Sequence, residues 1–418
     1  MSEVRLKAGS LVGRVTVPPS KSDVHRAIIC AALSKGESRI SPVALSQDIS
    51  ATIDCIKALG ANVTIDGDSV VVNSENIFSP EKVLLDCRES GSTVRFFIPV
   101  AAAGGVNATF VGHGRLPERP LDIFEKLLPG HGVRCITDGG LPFEIMGKLE
   151  PGRFELTGSV SSQFITGLLF ALPLLSDDSV IHLTSPLQSK GYIDMTIDVM
   201  KRFGVNIDVR NGDYYIKGGQ SYKPCDYKTE GDWSQAAFFL VGGAISGDAT
   251  VEGVMRDSYQ GDKEIVQLLR RFGAEITEGD DYVTCRKAPL HGIDIDAAQI
   301  PDLVPILAVC ASFASGVTRI YNAQRVRLKE SDRLLAISEG LSRCGVDIRQ
   351  TDDGLLIEGR EALSGGKAEG FNDHRIVMSM AIASLRSTGE IVITDRESIS
   401  KSYPDFFEEL ISMCNYLK

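Results

Sequence analysis

Residues 48–72 read DISATIDCIKALGANVTIDGDSVVV, and the architecture can be built outward from them. A helix-like run from Asp48 to Leu59 stops at Gly60. Ala61-Asn62-Val63-Thr64-Ile65 then alternates as a strand does, and Asp66-Gly67-Asp68 is a turn between two strands. Glycine after a helix supplies the left-handed residue that any Cβ would disfavour. The same phrase returns at His131-Gly132-Val133, Phe203-Gly204-Val205, Phe272-Gly273-Ala274 and Cys344-Gly345-Val346. Successive glycines are 72, 72, 69 and 72 positions apart. Chance would have to reproduce context and spacing together five times.

A second series keeps step. Ser22, Ser92, Ser162, Asp232, Asp302 and Asn372 stand 70 residues apart, and each precedes an apolar helical run. All are residue types favoured at helix N-caps. Six repeats of about 70 residues exhaust the 418-residue chain. A first repeat reads helix Ser22 to Ser34, strand Ser38-Arg39-Ile40, then helix and hairpin. The sixth helix-terminal glycine would fall near Asn415, so Val4-Arg5-Leu6 is expected to complete the last repeat. Six units of this size predict an α/β (α+β) chain of two domains, three repeats each. Gly218 to Pro224 is the most linker-like segment near the midpoint.

Composition narrows the function. Hydrophobic residues at 43% and charged residues at 24% exclude a disordered chain, a collagen-like repeat and a disulfide scaffold. The net charge is −11, from 44 basic and 55 acidic residues, which argues against nucleic acid as the main partner. Nine cysteines stand singly without a C-x-x-C pair, and six histidines show no metal-ligand spacing. Met1 to Lys7 contains no apolar signal core, and no stretch of 18 apolar residues occurs. The expectation is a soluble cytoplasmic protein with no membrane span and no obvious metal.

Stacked repeats would aim equivalent helix starts the same way, gathering unpaired N–H groups and positive dipole ends into an anion site. Basic residues lie near those starts. Lys21 sits at the first; Arg26, five residues on, need not share its face. Arg95 reads equally as a ligand group or as an inward charge serving packing. Arg119 lies between Pro117 and Pro120. Arg325, Arg327 and Lys329 alternate like one face of a strand, while Glu330 and Arg333 have the spacing of a helix's first turn. His374 reads also as a structural histidine, Asp232 as a plain cap, and Lys401 alone says little.

Taken in order, PPSKSDVHRA at 18–27, SGSTVR at 90–95, VSSQF at 160–164, RVRLKESDR at 325–333, NDHR at 372–375 and KSYPDFF at 401–407 carry a resemblance. The chain resembles the 5-enolpyruvylshikimate-3-phosphate (EPSP) synthases, 3-phosphoshikimate 1-carboxyvinyltransferases, over essentially its whole length. That resemblance implies the enolpyruvyl transferase fold, an inside-out α/β barrel of three βαβαββ repeats per domain. It implies a lower domain of residues 1–19 plus 230–418 and an upper domain of 20–229, closing over substrate. The implied reaction moves the enolpyruvyl group of phosphoenolpyruvate to the 5-hydroxyl of shikimate 3-phosphate, through a tetrahedral intermediate, with release of phosphate. Shikimate 3-phosphate would meet Lys21, Ser22, Arg26, Ser161, Ser162, Gln163, Ser189, Asp302 and Lys329. Phosphoenolpyruvate would meet Lys21, Gly91, Arg119, Gln163, Arg333, Arg375 and Lys401, with Gly91 letting the backbone approach the ligand. Asp302 is the expected base, with Glu330 and Lys21 the proton-transfer partners at the other carbon. No cofactor is implied, and the expected state is a monomer.

Two positions depart from the family pattern: Glu89 and Arg325 stand where asparagine is common, and no contacts are carried over to them. A sister enzyme, UDP-N-acetylglucosamine enolpyruvyl transferase, would show Lys-Asn at the first helix start and a cysteine near position 115. Here the pair is Lys21-Ser22, and Gly112 to Leu116 has no cysteine. A nucleic-acid-binding scaffold built from the same repeats would need a broad basic surface, which the acidic balance opposes.

Overall fold

The computed structural model describes residues 2–416. The chain divides into two compact units, Met1–Pro18 with Glu230–Lys418, and Pro19–Thr229. One pattern is repeated three times in each. In its plainest copy, strand Lys82–Asp86 leads through helix Gly91–Gly104 to strand Asn107–Val111. Helix Asp122–Leu127 then precedes the hairpin of Val133–Ile136 and Phe143–Gly147. The sheet order is first, second, fourth, third, and only the first pair runs parallel. The sheets begun by Arg153–Leu156 and Asp294–Asp296 follow the same order.

Three sheets borrow strands from distant sequence. Tyr227–Lys228 runs parallel to Gly36–Ser41 as the missing first strand of its sheet. Gly9–Thr16 lies between Asp248–Glu252 and Cys414–Tyr416. Glu3–Leu6 pairs antiparallel with Ile391–Thr394, Glu3 opposite Thr394, so the N-terminal strand completes the sixth repeat as the repeat arithmetic predicts. The six sheets are separate, and among the described residues none closes into a barrel. Helices, not strands, fill each interior.

The first helix of each repeat is the interior one. Lys21–Leu33, Gly91–Gly104 and Ser162–Ala171 in one unit are buried on nearly every face; so are Trp233–Ser246, Val304–Ala311 and His374–Ala383 in the other. Their small and apolar residues suit all-round burial. The second helices are amphipathic: Ile265–Phe272 buries Ile265, Leu268, Leu269 and Phe272 and exposes Arg270 and Arg271. Each unit has its own continuous core.

All five predicted glycines have positive φ: Gly60 at 121°, Gly132 at 80°, Gly204 at 82°, Gly273 at 103° and Gly345 at 91°. At four of them the next residue's N–H donates five residues back, as Ala61 does to Ile56 at 2.9 Å, giving the Schellman arrangement. Gly132 follows a 3-10 turn instead, because Pro129 interrupts the helix before it.

Three expectations need correction. The capping side chains are Ser20, Ser90, Ser161, Asp232 and Asp373, so the 70-residue series is right at Asp232 and one or two positions off at Ser22, Ser92, Ser162 and Asn372. Ser22, Ser92 and Ser162 lie within the first turn, and Asp302 sits in a 3-10 turn that has no side-chain cap. Gly218 to Pro224 is no linker: Gly219 and Gln220 donate to the Leu175 and Pro173 carbonyls, and buried Tyr222 donates its hydroxyl to the Phe170 carbonyl. Lastly, 325–328 lies in the 3-10 turn Gln324–Leu328 and not in a strand.

At Gly60 a Cβ would lie 2.9 Å from the Asn76 carbonyl and would also carry the positive φ. Gly60→Ala is therefore expected to destabilise by about 1–3 kcal/mol, lowering the melting temperature by several degrees in a thermal scan. An unchanged melting temperature would refute the terminus role.

Candidate active site

In the Pro19–Thr229 unit, three helix starts are fastened together. Ser20, Ser90 and Ser161 accept from the N–H groups of Asp23, Thr93 and Gln163. Gln163 donates Nε2 to Ser92 Oγ at 2.8 Å and accepts from Arg95 Nη1 at 2.8 Å. A buried chain runs from His25 Nδ1 to Thr52 Oγ1 (2.7 Å), to Thr93 Oγ1 (2.9 Å), to Ser90 Oγ (2.7 Å). Burial and the Lys21 and Arg26 charges hold His25 well below its usual pKa, so the chain is neutral.

The cations around these starts differ in what they can offer. Lys21, the first residue of its helix, reaches Asp48 Oδ2 at 2.7 Å. Arg26 is buried, with its donors on Thr196 Oγ1, the Ser22 carbonyl and the Tyr192 carbonyl, and burial pulls its pKa down to about 10. Arg95 faces inward: Nη2 donates to the Pro120 carbonyl at 3.0 Å, and the guanidinium lies over the Phe164 ring at 5.1 Å. Its job is to orient Gln163.

Arg119 is buried, and a Cβ at Gly91 would stand 2.6 Å from its Nη1. The space beside Gly91 is thus filled by that guanidinium, a more definite reason for glycine than ligand approach alone. Glu89 turns toward the following loop, where a Cβ at Gly114 would overlap its carboxylate. Ser162 is buried in the first turn of its helix. Ser189, also buried, is left-handed at φ 57° just before helix Lys190–Arg202.

In the other unit, Arg333 is the hub. It is 1% exposed and opens helix Arg333–Arg343. Nη1 donates to Asp302 Oδ1 at 2.8 Å, Nη2 to Glu330 Oε2 at 2.7 Å, and Nε to Asp373 Oδ2 at 2.8 Å. Burial alone would depress its pKa; Asp373, Glu330 and Asp302 reverse that and hold it above the usual arginine value. Asp373 has no exposure; burial would raise its pKa, but Arg333 holds it below the carboxylate norm. It also caps helix His374–Ala383, accepting from Arg375 N–H at 3.0 Å. His374 is buried beside it, which fits the structural reading of that histidine.

Asp302 gathers further cations. Lys329 Nζ lies 3.2 Å from Oδ1 and Arg375 Nη2 3.6 Å from Oδ2, while Arg375 Nη1 donates to the Asp302 carbonyl at 3.2 Å. Lys401 donates to the Asn372 carbonyl at 2.7 Å. Because 325–328 coil as a 3-10 turn, the basic strip fans out. Arg325 goes to the Ala298 carbonyl, Arg327 to Asp332, and only Lys329 to the Asp302 carboxylate. Lys329, Arg333 and Arg375 thus converge on Asp302, and Arg333 also holds Glu330 and Asp373.

Sequence reasoning did not single out Asp48, Asp262 or a role for Asp373. Asp373 lay inside a quoted motif; the other two carried no local signal. Among the described residues, no three or more His, Cys, Asp or Glu are placed to hold a metal ion, and no helix is long and apolar enough to cross a membrane.

Known proteins resemble this chain in sequence and fold. The family model for EPSP synthase (3-phosphoshikimate 1-carboxyvinyltransferase) matches residues 6–410. The 3-phosphoshikimate 1-carboxyvinyltransferase of Clostridium perfringens is 44% identical across the full length of both chains. That of Clostridium acetobutylicum is 45% identical, covering 98% of this chain and 97% of its own. An EPSP synthase structure from Acinetobacter baumannii superposes with a TM-score of 0.85 at 25% identity, covering 100% of this chain and 99% of its own. The enolpyruvyl transferase NikO from Streptomyces tendae shares the fold, with a TM-score of 0.80 at 17% identity, over 98% of this chain and 97% of its own.

Asp262 gives the cluster a pH dependence. It is 2% exposed, and Ser234 donates to its Oδ2 while Oδ1 is buried without a hydrogen-bond partner. Burial, then the charge of Asp302, pushes its pKa up to about 7, with Asp232 adding and Arg375 and Ser234 opposing. A carboxyl that holds its proton more tightly folded than unfolded makes stability fall as pH rises from about 4 to about 7. Asp262→Asn should therefore gain several degrees of melting temperature over the parent at pH 8 and little at pH 4. Equal gaps at both pH values would contradict the buried acid.

Proposed function

The chain belongs to the EPSP synthase family, and from that premise we propose how its own residues carry the reaction. The reaction transfers the enolpyruvyl group of phosphoenolpyruvate to the 5-hydroxyl of shikimate 3-phosphate, releasing phosphate, in the shikimate pathway to aromatic amino acids. In the proposal, Lys21, Ser22, Arg26, Ser161, Ser162, Gln163, Ser189, Asp302 and Lys329 serve shikimate 3-phosphate. Lys21, Gly91, Arg119, Gln163, Arg333, Arg375 and Lys401 serve phosphoenolpyruvate. Arg and Lys match polyanionic ligands, Arg as a bidentate fork and Lys as a point charge.

The observation that carries the chemistry is Asp302 under three cations, Arg333, Lys329 and Arg375. They fix its carboxylate in place, suited to orienting the 5-hydroxyl and accepting its proton as the carbon–oxygen bond forms. The hydroxyl oxygen adds to C2 of phosphoenolpyruvate while C3 gains a proton, from Glu330 or Lys21. The tetrahedral adduct then loses a C3 proton and its phosphate, leaving the enol ether. The Arg333 contact fixes the Glu330 carboxylate, which supports assigning it to this traffic. Arg333 has five N–H donors and four are engaged, so one at Nη1 remains for ligand. Arg375, Arg119 and Lys401 would stabilise charge on the carboxylate and departing phosphate. The same reading extends to a cytoplasmic monomer; it draws support from nine unpaired cysteines, and a sizing column tests it.

Phosphate release with each acceptor is the decisive assay. Turnover is expected with shikimate 3-phosphate and none with UDP-N-acetylglucosamine; the reverse would overturn the assignment. Asp302→Ala should lower kcat by about 100-fold or more with the fold intact, and near-normal turnover would remove it as base. Gly91→Ala, by pushing Arg119 aside, should raise KM for phosphoenolpyruvate about tenfold and leave that for shikimate 3-phosphate within about twofold. A parallel rise in both constants would contradict that route.

A further inference from the structure

Three residues other than glycine in the Met1–Pro18/Glu230–Lys418 unit's last repeat adopt the left-handed region: Phe371 at φ 53°, Asn372 at 50° and Asp395 at 56°. Two such residues in succession are strained and persist only where surroundings impose them. What imposes them here is visible. Gly370 N–H donates to Thr394 Oγ1 at 3.0 Å, Asn372 N–H to Asp395 Oδ2 at 3.1 Å, and Thr394 Oγ1 to that same oxygen at 3.3 Å. A Cβ at Gly370 would overlap the Thr394 carbonyl, so the two loops are pressed together.

Asp395 is also the residue before the 3-10 turn Arg396–Lys401, yet its side chain makes no capping bond to that turn. It reaches across to Asn372 instead. The far end of the turn answers it, because Lys401 Nζ donates to the Asn372 carbonyl at 2.7 Å. A single peptide-bonded residue is therefore gripped at its N–H by one end of the 395–401 segment and at its C=O by the other.

We propose that Asp395 is a positioning residue for the enolpyruvyl transfer: by holding Asn372 left-handed it aims the Asn372 carbonyl, which sets the Lys401 ammonium for phosphoenolpyruvate. The proposal rests on the assignment of Lys401 to that substrate. Without the Asp395 carboxylate the Asn372 N–H loses its acceptor and the turn relaxes toward right-handed values. The carbonyl then swings away and Lys401 samples several rotamers. Asn at 395 retains an acceptor oxygen at the same reach; Glu keeps the charge but moves the acceptor one carbon outward.

The test is steady-state kinetics with each substrate varied, on Asp395→Ala, Asp395→Asn and Asp395→Glu, in the parent and in Lys401→Met. Asp395→Ala is expected to raise KM for phosphoenolpyruvate about tenfold, with KM for shikimate 3-phosphate within about twofold. Asp395→Asn should recover most of the loss, and the effect of Asp395→Ala should vanish in the Lys401→Met background. A fall in melting temperature with unchanged kinetic constants would overturn the proposal, as would an equal effect in both backgrounds. Should Asp395→Ala not fold, Asp395→Glu decides: a KM for phosphoenolpyruvate raised about threefold or more supports the role, and a parent-like value removes it. If Lys401→Met itself leaves that KM unchanged, the Lys401 assignment falls and this one with it. If Lys401→Met raises it while Asp395→Ala does not, only this one falls.

Discussion

A fully buried guanidinium holds together the charged cluster of the Met1–Pro18/Glu230–Lys418 unit. Arg333 would be intolerable at 1% exposure without compensation, and three carboxylates from three different segments provide it. Its planar fork does what a point charge could not. It fixes Asp302 beside a helix start, Glu330 three residues earlier, and Asp373 at the cap of another helix, all in one plane of donors. Remove the fork and Asp373, which has no exposure, would lose the guanidinium that balances its charge.

The Pro19–Thr229 unit solves the same problem with neutral groups. There, serine hydroxyls cap the three helix starts and a chain of threonines with a neutral histidine ties them. Arg95 disposes Gln163 rather than facing a ligand itself. The contrast has a physical logic: carboxylates can accept and return protons, whereas hydroxyls and an amide orient their partners without changing charge. Many of the buried charges, Arg26, Arg119, Arg333, Arg375 and Lys401 among them, are residues to which substrate contacts are assigned, as expected if stability is given up locally for placement.

How much of this was legible in the sequence varied with the kind of constraint. The five helix-ending glycines could be read because a positive φ excludes almost every other residue, and all five have it. The caps were read to within two positions only, since serine is tolerated both at the cap and in the first turn, as at Ser20 and Ser22. Gly218 to Pro224 has a flexible composition, yet Tyr222 anchors it; one buried aromatic outweighs the glycines around it. The alternating arginines at 325 and 327 imitated a strand, but a 3-10 turn sends them to unrelated partners. Asp262 and Asp395 were invisible because their partners are 28 and 23 residues away and no motif marks them.

The dependence on a fork, as distinct from a charge, can be measured in one variant. Arg333→Lys preserves the positive charge and loses the geometry that binds three carboxylates at once. Turnover of phosphoenolpyruvate with shikimate 3-phosphate should fall by about 100-fold or more while the protein still folds. Activity within a few-fold of the parent would show that Asp302 and Glu330 are held by something other than Arg333.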